Sequence, residues 1–145
     1  VVEDRVLDAA ALYRPLHAGE ASGHAMAVLL GAAEHAAGVR RLWKALRHDA
    51  PEVTETAARR GVPESAEPVA QVFRTVQAGH AGRLSYARIW RGAVRDGGTV
   101  GGQRIGGLWR FPAGEAVKAL EAAAGDVVAL GRLEGTATGD TLGAE

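Results

Sequence analysis

Two periodicities divide the chain. Up to residue 60, apolar residues recur at helical spacing or in one unbroken run; beyond residue 67 they alternate with polar ones. In "GVRRLWKALRHDAPE", Val39, Leu42, Trp43 and Leu46 stand at i, i+3, i+4 and i+7. That is one stripe of an amphipathic helix, and Pro51 marks its end. "EDRVLDAAALY" predicts a short helix. "HAMAVLLGAA" is an apolar run ending near Gly31, consistent with a buried strand. The first half therefore reads as strand, short loop and helix, a βα unit with too little around it to close an α/β domain.

The second half reads as successive strands. "PVAQVFRTV" is the first. "RLSYARIWRGAV" is the second, with Leu84, Tyr86, Arg88 and Trp90 on one face and Ser85, Ala87 and Ile89 on the other. "RDGG" predicts a hairpin turn. "TVGGQRIGGLWRF" holds one or two short strands, its GG pairs marking bulges or close backbone approaches. "EAVKALEAAAG" mixes polar and apolar residues; its alanine content invites a helix reading, which we set below the strand pattern. "DVVALG" is a strand, and "TATGDTL" a turn followed by a short strand. Short strands at this spacing predict an antiparallel barrel or sandwich. The expected division is residues 1–60, a linker over 61–68 in "RRGVPESAEPV" with Pro63 and Pro68, and a barrel over 69–145.

Composition narrows the setting. The 145 residues suffice for one domain, or for a small domain plus a piece of another, and 47% are apolar, enough for a core. Seventeen basic residues balance seventeen acidic ones, so the chain as a whole is no polyanion magnet. No cysteine is present, which removes disulfide frameworks and cysteine-based zinc sites and fits a reducing, cytoplasmic setting. No apolar run approaches the roughly 18 residues of a membrane span. No signal peptide is visible. The chain opens "VVEDRVLDAA" without Met, and we expect an excised fragment.

Local charge is another matter. Between residues 74 and 110 stand Arg74, Arg83, Arg88, Arg91, Arg95, Arg104 and Arg110, against Asp96 alone. Arginine's planar fork suits phosphate. The plainer account is a solvated sheet face with arginine stems lying over aromatic rings.

Catalytic motifs are sparse. No G-x-x-x-x-G-K-[ST] loop and no Asn-Lys-x-Asp motif occurs, so the chain lacks the parts that position and neutralise a transferring phosphoryl group. His17, His24, His35, His48 and His80 form no H-x-x-x-H or H-E-x-x-H pair, and no metal site is expected. "GGTVGG" is followed by no helix, which leaves it without a helix-terminus anion site. Ser85 has no recognisable His and acid partners. Asp126 and Asp140 each follow a glycine, as turn residues do.

In order, "VFRTVQAGHAGRLSYARIWRGAVRDGGTV", "RIGGLWRF" and "AAAGDVVALGRLEGTATGDTL" resemble domain II of the translational GTPases, above all elongation factor G and its paralogues. That family shows Phe-Lys/Arg-Thr, His-x-Gly-Arg-Leu-Ser, Ala-Gly-Asp-Ile/Val and Thr-Thr-Gly-Asp-Thr-Leu in this order. The matching residues here include Phe73, Arg74, Thr75, His80, Gly82, Arg83, Arg88, Gly125, Asp126, Gly139 and Asp140, spread over residues 67–145. Upstream, "MAVLLGAAEHAAGVRRLWKALRHDAPE" is similar to the last strand and helix of the family's GTPase domain. The family's Ser-Ala guanine-contact pair stands here as Ala32 and Ala33, without the serine. The hairpin after Val100 is short, and Phe111–Pro112 replaces a Met-His; both point to a divergent paralogue.

The resemblance implies a mainly β fold, a translation-factor barrel preceded by an α/β fragment of a P-loop GTPase domain. It implies a parent that binds GTP and Mg²⁺, although this fragment carries no cofactor. It also implies that domain II relays between the nucleotide domain and the small-subunit ribosomal RNA during elongation or translocation. The partners implied are the ribosome and the remaining GTPase and downstream domains, with no membrane. We place RNA contact on Arg91, Arg95 and Arg104, and turn architecture on His80, Gly82, Arg83, Arg88, Gly125, Asp126, Gly139 and Asp140. The alternatives are a paralogue acting in ribosome recycling, rescue or regulation, and a stand-alone barrel that binds RNA or protein.

Overall fold

The structure, a computed structural model, describes residues 8–79 and 82–143. Two compact units divide at Pro51 and Glu52. The first holds helix α1 (Ala9–Ala21), a 3-10 turn (Ala33–His35) and helix α2 (Val39–Asp49). The stripe predicted on α2 forms, but no described residue of the unit covers it: Leu42, Trp43 and Leu46 stay exposed.

The predicted strand at "HAMAVLLGAA" is a correction. Its residues pair with no strand, and Met26, Val28 and Leu30 face solvent. Among the described residues, Ala32 and Ala37 form an isolated antiparallel bridge. An extended apolar run becomes a buried strand only when neighbouring strands satisfy its amides and cover its faces. The described residues of this unit supply neither.

The second unit is mainly β and antiparallel. Helix α3 (Val53–Arg59) leads into β1 (Val69–Gln77) and β2 (Arg83–Arg91). Next come β3 (Ala93–Arg95), β4 (Thr99–Val100), β5 (Gln103–Arg104) and β6 (Leu108–Arg110). The last four are β7 (Val117–Lys118), β8 (Glu121–Ala123), β9 (Val127–Gly131) and β10 (Thr141–Leu142). Six strands form one sheet in the order β10-β1-β2-β9-β6-β7; β3 pairs with β8 and β4 with β5. "EAVKALEAAAG" thus becomes β7 and β8: cross-strand pairing overrides the helix preference of its alanines.

The alternation read in β2 matches the packing. Ser85, Ala87 and Ile89 are fully buried and face the core with Val72, Val94, Ile105, Leu108, Val128 and Leu130. Trp90, on the other face, joins Ala57 of α3 and Val69 in a second cluster, with Val53 and Val62 packed against it. α3 therefore packs on the barrel wall at β2, although the sequence division places it with residues 1–60.

Two turns differ from expectation. "RDGG" links β3 to β4, but these strands are not partners; its backbone is held by Ile105, which exchanges hydrogen bonds with Gly97 and Gly98 (3.1 and 2.8 Å). The hairpin turn is Gly101–Gly102, between the paired Val100 and Gln103. Both glycines have positive φ (54° and 71°), as a two-residue turn matching strand twist requires. At the second pair the expected close approach is present: a Cβ on Gly107 would strike the Trp109 ring.

Candidate nucleic-acid interface

The arginine-rich stretch does not form one uniform patch, because the fold assigns its members separate tasks. Arg83 donates through Nη2 to the Thr136 carbonyl, tying the start of β2 to the loop before β10. The Arg88 guanidinium lies 5.5 Å from the Trp90 ring centroid, and Arg60 lies 5.6 Å from it. Such contacts hold the stem flat and leave the charge partly solvated. Arg110 pairs with Asp126.

The three residues assigned to RNA fall in different places. Arg91 is mostly buried: its Nη2 donates to the Val62 carbonyl (3.3 Å) and to Glu64 (2.7 Å), binding the linker to the barrel. Arg95 is exposed at the end of β3 and pairs through Nε with Glu121 on β8 (2.9 Å). Arg104 is exposed on β5 and forms no ion pair or side-chain hydrogen bond among the described residues.

The motif carboxylates close turns. Asp126 accepts the Ala123 amide (2.8 Å) and Asp140 the Ala137 amide (2.7 Å), each three residues back. Gly125 and Gly139 precede them at φ 98° and 103°. Gly82 (φ 70°) accepts from the Ala78 amide at 2.8 Å in the turn between β1 and β2. His80 lies outside the described residues. In the first unit, Ala32 and Ala37 exchange backbone hydrogen bonds (3.0 and 3.1 Å), and Ala33 begins the 3-10 turn. Neither methyl group supplies a polar contact for a guanine.

Sequence reasoning missed three features. One is an aromatic row. A β-bulge between Val72 and Arg74 leaves Phe73 unpaired against β2, so that Phe73 and Arg74 are both exposed. Phe73 lies 6.4 Å from Tyr86, Tyr86 5.3 Å from Phe111, and the Arg74 guanidinium 5.8 Å from the Tyr86 ring. The second is a group on the helical unit: the ligand atoms of His17, Glu20 and Asp49 lie within 4.8 Å of one another. His17 and Glu20 are i and i+3 on α1, a spacing that shares one helix face, but Asp49 comes from the end of α2. His17 Nδ1 sits 2.8 Å from the Asp49 carboxylate, and an imidazole–carboxylate pair accounts for that approach. The third is Arg132, which lines a cleft with Arg104.

No family model matches the chain. It is 43% identical over 117 residues to a protein named elongation factor G-like protein from Synechocystis sp., a match covering 79% of this chain and 17% of that protein. It is 30% identical over 157 aligned positions to a protein named elongation factor G 1 from Syntrophomonas wolfei, covering 96% of this chain and 23% of that protein. The chain therefore spans about a fifth of the length of these relatives. A crystal structure of a Thermus thermophilus protein superposes with a TM-score of 0.72 at 24% identity, over 97% of this chain and 21% of that one. That likeness shows the fold.

Proposed function

Because the chain is homologous over most of its length to elongation factor G-like proteins, we propose that it is a segment of a ribosome-associated GTPase. In this reading the barrel couples the GTP-binding part to the small ribosomal subunit during translation, in the cytoplasm. The observation that carries the reading is the 43% identity over 117 residues. The exposed Arg95 and Arg104 support an RNA-facing side. Arg91 serves the linker instead. GTP and Mg²⁺ belong to the parent, whose P-loop this chain does not contain; calorimetry on the chain should show no binding that prefers GTP over ATP.

The test is co-sedimentation of the 145-residue chain with small ribosomal subunits across a salt series. Wild type should pellet with the subunit, increasingly so as salt falls. A double variant, Arg95→Glu with Arg104→Glu, should stay in the supernatant. Equal pelleting of both proteins would sink the RNA-facing assignment.

A second reading keeps the family and changes the step: a paralogue working in ribosome recycling, rescue or regulation. Ala32 in place of the family's serine and the two-glycine hairpin Gly101–Gly102 favour it. Ribosome-stimulated GTP hydrolysis by the full-length parent, measured with and without a translocation substrate, separates the two.

A further inference from the structure

We propose that the cleft between the loop after β3, the end of β5 and the chain after β9 is an anion site that takes a phosphate group through Arg104 and Arg132. The cleft has a volume of about 550 Å³ and is lined by Asp96, Gly97, Arg104, Ile105, Gly106 and Arg132. Its two arginines have no ion pair or side-chain hydrogen bond among the described residues. Its one acid, Asp96, is paired with Lys118 at 3.0 Å. The local charge balance therefore leaves two unpaired arginines lining a concave space, and guanidinium forks match phosphate oxygens.

The backbone gives independent support. Arg132 has φ 58°, the left-handed region that side-chain-bearing residues seldom occupy. Strain of this kind persists where the surroundings enforce it, and it gathers at binding sites. The enforcement is visible here. The Arg132 amide donates to the Arg83 carbonyl (3.3 Å), and the Gly106 amide to the Gly131 carbonyl (2.9 Å). A Cβ on Gly106 would strike Cβ, Cγ and Cδ of Arg132, so the arginine stem runs over a position that only glycine leaves open. Leu133, next in the chain, is fully buried and anchors the segment. The stem of Arg132 thus lies against Gly106 on the cleft wall, with the residue itself exposed.

The phosphate has two chemical sources, an RNA backbone or a free phosphorylated small molecule. As an RNA seat the cleft rests on the reading above; as an anion site it stands on its own geometry. The test uses the whole 145-residue chain and follows the arginine Nε–H resonances by NMR. Inorganic pyrophosphate should shift Arg104, Arg132 and the Gly106 amide saturably. Arg132→Gly should weaken that binding about tenfold or more, the loss of a charge-assisted hydrogen bond, while its melting temperature stays level or rises. Arg104→Gln should weaken it similarly, and Arg59→Gln, on α3, should not. A single-stranded uridine dodecamer that displaces pyrophosphate identifies the source as RNA. A dodecamer that leaves these resonances unmoved assigns the cleft to a small phosphorylated ligand and counts against the ribosomal role of this face, without touching the anion site. The proposal is overturned if pyrophosphate shifts all arginines alike, or if Arg132→Gly binds it as wild type does.

Discussion

Replacing Arg91 by alanine should destabilise the barrel and leave its anion binding intact. The Arg91 side chain is 18% exposed and its partner Glu64 is 89% exposed. The ion pair is therefore a surface one on the carboxylate side, contributing about 0.5 kcal/mol. The bond from Nη2 to the Val62 carbonyl is charge-assisted but long at 3.3 Å, and we assign it about 1 kcal/mol. Burial of the stem contributes about 0.5 kcal/mol more. The sum is about 2 kcal/mol, or a fall of roughly 10 °C in melting temperature for a unit of this size. Val62 packs on the cluster of Ala57, Val69 and Trp90, so the linker and α3 should loosen together. Urea unfolding followed by circular dichroism measures the loss. Glu64→Ala should cost only about 0.5 kcal/mol, since it removes the exposed pair and keeps the carbonyl bond. The reasoning fails if Arg91→Ala unfolds within about 0.5 kcal/mol of wild type, or if it keeps its stability and loses ribosome binding.

Leu130→Ala removes a fully buried side chain of β9 and should cost about 2–5 kcal/mol in urea unfolding. Gly102→Ala places a side chain at φ 71° in the β4–β5 turn; with open space around its Cβ, the cost is conformational, about 1 kcal/mol. Phe73→Ala, on the exposed bulge of β1, should change stability by no more than about 0.5 kcal/mol, and a larger loss would mean that the aromatic row with Tyr86 and Phe111 is part of the core.

The strand pattern was legible because burial on one face of a sheet writes itself as alternation. Ser85, Ala87 and Ile89 point inward as their spacing required. The segment around Met26 was not legible in the same way: an apolar run states a demand for neighbours, not their presence. The turns were legible as turns but not in their pairing, since "RDGG" and "GG" carry the same local signal. Partnership is set by Ile105 and by the β3–β8 ladder, contacts across the fold. Arginine roles were the least legible. Arg91 meets Val62 twenty-nine positions away, and the backbone conformation of Arg132 leaves no mark in "GRLEG".

The fate of the arginine excess sharpens what the barrel can do. Read along the chain, seven arginines against Asp96 promise a broad cationic face. Folded, Arg110 is neutralised by Asp126, Arg95 by Glu121 and Arg91 by Glu64. Arg83 is committed to a carbonyl, while Arg74 and Arg88 lie over rings. Arg104 is left, and Arg132, from outside the stretch, joins it in the cleft. Arg74 and Arg88 keep their charge over the rings, but Arg104 and Arg132 are the pair that lines a cleft, and the cleft neutralises about two phosphates, not seven. Since each contact to a single strand contributes about −0.7 to the slope of log K against log salt, RNA binding in the cleft should show a slope near −1.5, on the order of two contacts. Arg132→Gly should reduce it by about 0.7. A slope of about −5 would mean that the arginines exchange their internal partners for phosphate on binding, and the division of labour drawn from the folded chain would be wrong.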